Sequence, residues 1–209
     1  MRRAGAAALM NLPNKLTIGR LILTVVFVLL FTLKSVQLAN AVTYALVIFI
    51  VASITDYLDG EIARRRNLVT NFGKLMDPLA DKILMTAALI LVAVEPEVKG
   101  AVPVWLVIAV LAREFFVTGI RQLASQAGVV LAAERLGKHK MVWQIITVIY
   151  FMGLAASTEP LLKWSAPIYQ WKPTSPEIFG RLCIVMMTAL TFISGFSIFW
   201  KNRRLFQGA

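Results

Sequence analysis

Two stretches decide how this chain is read: Asp56-Tyr57-Leu58-Asp59-Gly60-Glu61-Ile62-Ala63-Arg64 and, eight residues later, Gly73-Lys74-Leu75-Met76-Asp77-Pro78-Leu79-Ala80-Asp81. Together they hold all four aspartates of the 209-residue sequence, and apolar runs flank them on both sides. An aspartate at the centre of a membrane helix costs about 2.5 to 3.5 kcal/mol, so four would cost about 10 kcal/mol unless something cancels their charge. A bound cation is the obvious agent. The spacing is helical: Asp56 and Asp59 are three apart, Asp77 and Asp81 four apart, so each pair projects from one face of its helix. Two such helices joined by a short basic loop can bring all four carboxylates together.

The surrounding composition fits a bilayer. Hydrophobic residues make up 58% of the chain and charged residues 16%, and the mean hydropathy is +0.73, outside the range of soluble globular domains. Apolar runs at 16–33, 41–58, 76–94, 102–120, 141–157 and 179–200 predict six spans, each a helix because unpaired backbone is prohibitive in lipid. The expected fold is an all-α integral membrane protein, a six-transmembrane-helix bundle forming one membrane domain over residues 1–209. Residues 1–12 precede it as a short juxtamembrane segment, without a convincing signal-peptide cleavage site.

Basic residues cluster at both termini, at Arg64-Arg65-Arg66 with Lys74, and between Arg121 and Lys140, which predicts that these regions and both termini are cytoplasmic. The net charge of +11 suits anionic headgroups and phosphorylated substrates, and no nucleic-acid-binding module is recognisable. The prolines of 157–177 exclude a continuous helix there, and Trp164 and Trp171 favour an interfacial outer loop. Cys183, the single cysteine, lies in an apolar run and reads as a buried, inert thiol.

Four hard oxygen donors favour Mg²⁺ or Mn²⁺ over zinc, and two divalent ions would balance four carboxylates. Such a pair suits phosphoryl transfer, neutralising the phosphates while holding the attacking oxygen. Gly60, Ala63 and Gly73 would leave space for a bulky ligand beside the carboxylates, or merely permit close helix packing. Arg64 could pair with a diphosphate or act as a topology signal.

The pattern D-x2-D-G-x2-A-R-x8-G-x3-D-x3-D, intact from Asp56 to Asp81, resembles the signature of the CDP-alcohol phosphotransferase family. That resemblance implies a six-helix membrane enzyme, usually a homodimer, that displaces CMP from a CDP-linked substrate with an acceptor hydroxyl. It implies Asp56, Asp59, Asp77 and Asp81 as metal ligands, with Asp81 also the catalytic base. Asp56, Asp59, Gly60, Ala63, Arg64, Thr70, Gly73 and Asp77 would surround the cytidine diphosphate, and Asn14, Thr17 and Arg20 would reach the lipid phosphates.

Further stretches resemble the branch of the family that joins CDP-diacylglycerol to glycerol 3-phosphate in the bacterial cytoplasmic membrane. They are Asn14 to Arg20, Asp77 to Lys82, Arg113-Glu114-Phe115, Gly119-Ile120-Arg121 and Gly137-Lys138-His139-Lys140. Gly19 and Met141 depart from that branch. The implied acceptor needs cations for its own phosphate, and Arg113, Arg121, Lys138 and Lys140 are the candidates. Arg113, inside an apolar run, should face a polar cavity, pair with Glu114 or an aspartate, or both. Inositol phosphate, phosphatidylglycerol or serine as acceptor remain alternatives, as does a cation transporter, which would explain the acids but not Gly60, Ala63, Arg64 and Gly73 at their spacing.

Overall fold

The computed structural model describes residues 12–33, 38–66, 71–98, 100–126, 135–170 and 176–203; for 12–16, 56–66, 71–78, 81, 125–126, 135, 170 and 176–177 only the backbone is described. The described residues are mostly helical, with turns between the helices and no strand among them. The long helices are α1 (Leu12–Thr32), α2 (Ala41–Arg66), α3 (Asn71–Val94), α4 (Val104–Gln126) and α5 (Arg135–Ala156). After a 3-10 turn at Lys163–Ser165 follow the short α6 (Ala166–Gln170) and the long α7 (Pro176–Lys201).

Each of the six apolar runs therefore coincides with a long helix. Several helices continue past their apolar run into polar sequence, α2 to Arg66 and α4 to Gln126, because backbone pairing does not stop where hydropathy does and Arg, Glu and Gln are good helix formers. Pro13 stands in the first turn of α1, where its missing N–H breaks no helical bond. The proline-rich stretch after α5 is broken as expected, yet it holds the five-residue α6, with Pro167 in its first turn.

The chain divides into two compact units, Met1–Leu91 with Met152–Ala166, and Val92–Phe151 with Pro167–Ala209. In the first unit α1 packs along α2, with Phe27 meeting Phe31 and Phe49 at ring-centroid distances of 6.3 and 6.0 Å. The start of α2 is held from a distance in sequence. Glu159 accepts hydrogen bonds from the Val42 and Thr43 N–H groups at 2.9 and 2.8 Å and from Thr43 Oγ1 at 2.7 Å. These N–H groups lack helical partners, and the helix dipole favours a carboxylate there. Asn40, at φ 64°, sits in the left-handed region that asparagine tolerates, and its Oδ1 accepts the Leu161 N–H at 2.8 Å. In the second unit α4 packs on α7 through Val117, Ile120 and Ile198.

Two of the helices bury polar side chains among apolar ones and turn large apolar faces outward. On α1 the buried face carries Thr17, Arg20 and Thr24 with Phe27 and Phe31, while Ile18, Ile22, Val25 and Leu29 are exposed. On α7 Thr191 and Ser194 are buried and Val185, Phe192, Phe196 and Trp200 exposed. Apolar faces of this extent turned outward, while threonine, serine and arginine side chains are kept inside, belong in lipid. Two helical segments, Leu136–Ala156 and Ile178–Lys201, are long and apolar enough to cross a membrane, and Thr17–Thr32, Ala41–Thr55 and Lys82–Val94 are shorter apolar helices. The chain is an all-helical membrane protein.

Candidate active site

The aspartates fall on two consecutive helices of the first unit. Asp56 and Asp59 lie on α2, about one turn apart, followed on the same helix by Gly60, Ala63 and Arg64. Gly73, Asp77 and Asp81 lie on α3. Pro78 stands inside α3 rather than at its start, so the carbonyl of Lys74 loses its helical donor, one turn before the proline. The helical spacing on which the carboxylate quartet rests is therefore present on both helices. The side chains of these residues, and that of Asn14, lie outside the described residues, as does Thr70 altogether. As a donor set, four carboxylates at i, i+3 and i, i+4 positions suit a hard divalent ion such as Mg²⁺ or Mn²⁺.

Thr17 and Arg20, three apart on α1, are buried at 2% and 3% exposure. Thr24 follows one turn later and donates its Oγ1 to the Arg20 carbonyl at 2.8 Å, which satisfies its hydroxyl inside the helix. A guanidinium retained on the inner face of an apolar helix is costly, and such residues mark functional cavities.

The second unit carries a polar cluster on three helices. Arg113 and Glu114 are on α4, Lys140 on α5 and Ser194 on α7. Arg113 Nη2 donates to Ser194 Oγ at 2.9 Å, and Nη1 reaches Glu114 Oε1 at 3.4 Å. Lys140 Nζ donates to the same Glu114 oxygen. One carboxylate oxygen thus gathers two cations that would otherwise repel each other, and the group of three keeps a net charge of +1. Ser194, fully buried, turns its own hydroxyl hydrogen to the Leu190 carbonyl, which leaves its lone pairs for Arg113. Of the surroundings expected for Arg113, the pairing with Glu114 is present, whereas the cleft it borders is largely apolar.

Gly195 explains how the arginine stem fits. A Cβ at that position would stand 3.1 Å from Arg113 Cγ, closer than ordinary van der Waals contact. Arg113 also borders a cleft of about 560 Å³ between α4 and α7, whose other lining, including Phe116, Phe192 and Phe196, is largely apolar. Arg121 and Lys138 are exposed and are not drawn into the partly buried cluster that holds Arg113 and Lys140.

Sequence reasoning passed over Ser194 and Gln144. Gln144 is 2% exposed, and its Nε2 has no hydrogen-bond partner among the described residues. A lone serine or glutamine in an apolar helix carries no local signal. The one available clue was the i, i+4 spacing of Lys140 and Gln144.

Comparison with known proteins gives the family. A model of the CDP-alcohol phosphatidyltransferase family matches residues 10–172. The chain is 37% identical over 203 residues to the CDP-diacylglycerol–glycerol-3-phosphate 3-phosphatidyltransferase of Bacillus subtilis (strain 168), covering 92% of this chain and 95% of that one. It is 36% identical over 197 residues to the protein of the same name from Rickettsia felis, covering 94% and 97%. An Arabidopsis thaliana protein, CDP-diacylglycerol–glycerol-3-phosphate 3-phosphatidyltransferase 2, is 38% identical over 159 residues, 71% of this chain and 66% of its own length. With its aspartate signature intact on two consecutive helices, this chain belongs to the CDP-alcohol phosphatidyltransferase family.

Proposed function

We propose that the enzyme transfers the phosphatidyl group of CDP-diacylglycerol to the primary hydroxyl of sn-glycerol 3-phosphate, giving phosphatidylglycerophosphate and CMP. The observation that carries this reading is the carboxylate quartet, spaced i, i+3 and i, i+4 on two consecutive helices. Likeness to relatives of that name over more than nine-tenths of the chain supports the choice of substrates.

Asp56, Asp59, Asp77 and Asp81 hold two divalent ions, Mg²⁺ or Mn²⁺. When bound, these ions neutralise the diphosphate and stabilise the charge that develops on it. Asp81 takes the proton of the acceptor hydroxyl as that oxygen attacks the β-phosphorus, and CMP leaves with the electrons of the broken P–O bond. Gly60, Ala63 and Gly73 give the cytidine diphosphate room, with Arg64 and Thr70 beside it, and Asn14, Thr17 and Arg20 bind the lipid phosphates.

Arg113 and Lys140 bind the phosphate of the acceptor. The burial of Lys140, the largely covered side chain of Arg113 and their shared counter-ion support this role, since a dianionic phosphate arriving there finds two oriented donors away from bulk water. Arg121 and Lys138, both exposed, steer the anion toward the site. The enzyme works as a six-span homodimer in the bacterial inner membrane, with both termini and the active site on the cytoplasmic side.

The test is CMP release by the purified protein in detergent from CDP-diacylglycerol, with glycerol 3-phosphate, inositol phosphate, serine or phosphatidylglycerol supplied one at a time. Release should require glycerol 3-phosphate, cease with a chelator and return with Mg²⁺ or Mn²⁺. Release with a different acceptor would overturn the substrate assignment.

A further inference from the structure

The buried face of α5 carries Lys140, Gln144 and Thr147, spaced four and three residues apart, at 4%, 2% and 0% exposure. Two of the three have their polar atoms engaged. Lys140 donates to Glu114, and Thr147 Oγ1 lies 2.7 Å from the Trp143 carbonyl and 3.5 Å from that of Cys183. Gln144 differs, because its Nε2 has no hydrogen-bond partner among the described residues. Burying an amide without a partner is costly, and folded proteins satisfy nearly all such groups. An amide donor left over one turn from a phosphate-binding lysine points to a ligand that supplies the missing partner.

We infer that Gln144 is a specificity-determining residue of the acceptor site, hydrogen-bonding the non-reacting C2 hydroxyl of glycerol 3-phosphate. This rests on the assignment of glycerol 3-phosphate as acceptor with its phosphate on Arg113 and Lys140. Residues four apart on a helix are about 6 Å apart along its axis, a separation suited to a three-carbon phosphate whose charged and hydroxylated ends are recognised separately. A carboxamide both donates and accepts, as a hydroxyl does. It carries no charge, so it offers a hydroxyl a full partner while giving the ammonium of an amino-acid acceptor no counter-ion.

The test compares glycerol 3-phosphate with 3-hydroxypropyl phosphate, which keeps the phosphate and primary hydroxyl but lacks the C2 hydroxyl. The full chain and its Gln144→Met and Gln144→Asn variants are assayed for CMP release, with Tm in detergent followed alongside. The unmodified enzyme should favour glycerol 3-phosphate in kcat/KM by at least about tenfold, the discrimination expected when a buried donor loses its partner. In Gln144→Met that preference should collapse toward one through a higher KM for glycerol 3-phosphate. The KM for CDP-diacylglycerol should stay within about twofold, and Tm should not fall, since methionine fills the space without burying an amide. Gln144→Asn keeps the polarity but shortens the reach, and should move the same constants in the same direction.

An unchanged acceptor preference in both variants would overturn the inference and leave the enzyme's function standing. So would an equal rise of both Michaelis constants, which indicates a structural role. Absence of glycerol 3-phosphate-dependent release from the unmodified enzyme would overturn both readings.

Discussion

Replacing Glu159 with alanine should unfasten the beginning of the helix that carries Asp56 and Asp59. The Glu159 carboxylate is 9% exposed and receives the N–H groups of Val42 and Thr43 and the Thr43 hydroxyl, while Val42 and Thr43 are themselves 0% and 3% exposed. Truncation leaves two buried backbone donors unpaired, each costing about 1 to 3 kcal/mol. It also removes a charge–dipole attraction of about 0.5 to 1 kcal/mol at the helix N-terminus. Water admitted at the helix end recovers part of this, so the expected loss is about 3 kcal/mol, or a fall in Tm of about 6 to 12 °C for a chain of this length. Glu159→Gln keeps one acceptor oxygen but turns an NH₂ toward an N–H, and should lose about half as much.

Thermal unfolding in detergent gives the global figure. Amide hydrogen exchange, resolved to the first turn of α2, gives the local one, with Val42 and Thr43 losing protection in the alanine variant. A Tm within about 1 °C of the parent, with those two amides still protected, would refute the claim that this carboxylate holds the helix.

Other outcomes follow from the same geometry. Asp81→Asn, nearly isosteric, should lower kcat by at least about 100-fold with Tm close to the parent, and near-normal turnover would remove Asp81 from the mechanism. Arg113→Ala should raise the KM for glycerol 3-phosphate by about 10- to 100-fold and that for CDP-diacylglycerol far less. Arg113→Lys should rescue it only partly, because an ammonium cannot reproduce the planar fork that reaches both Glu114 and Ser194. Gly195→Val should act through Arg113, since its Cβ would crowd Arg113 Cγ from 3.1 Å; a higher KM for glycerol 3-phosphate checks this, and unchanged kinetics would show that the stem can yield.

The sequence by itself determined the periodic and local properties. Six apolar runs became six long helices because lipid leaves a backbone no other partner for its hydrogen bonds. The aspartates came at helical intervals because residues three and four apart must share a helical face, whatever packs against it. The burial of Cys183 was readable from its apolar surroundings. Helix ends were less readable, since α3 begins at Asn71 and α5 at Arg135, in polar sequence that hydropathy assigns to loops.

Only the tertiary structure decided which polar side chains meet. Glu159 caps a helix 116 residues away, Arg113 finds Ser194 across 81 residues, and Lys140 meets Glu114 across 26. It also separated Lys140, buried on Glu114, from Lys138, which lies two residues away and is exposed. Two residues on a helix turn a side chain through about 200°. Composition and spacing fix the face a residue occupies on its own helix; which neighbour covers that face depends on how the helices pack, and the partner's position in the chain carries no local mark of it.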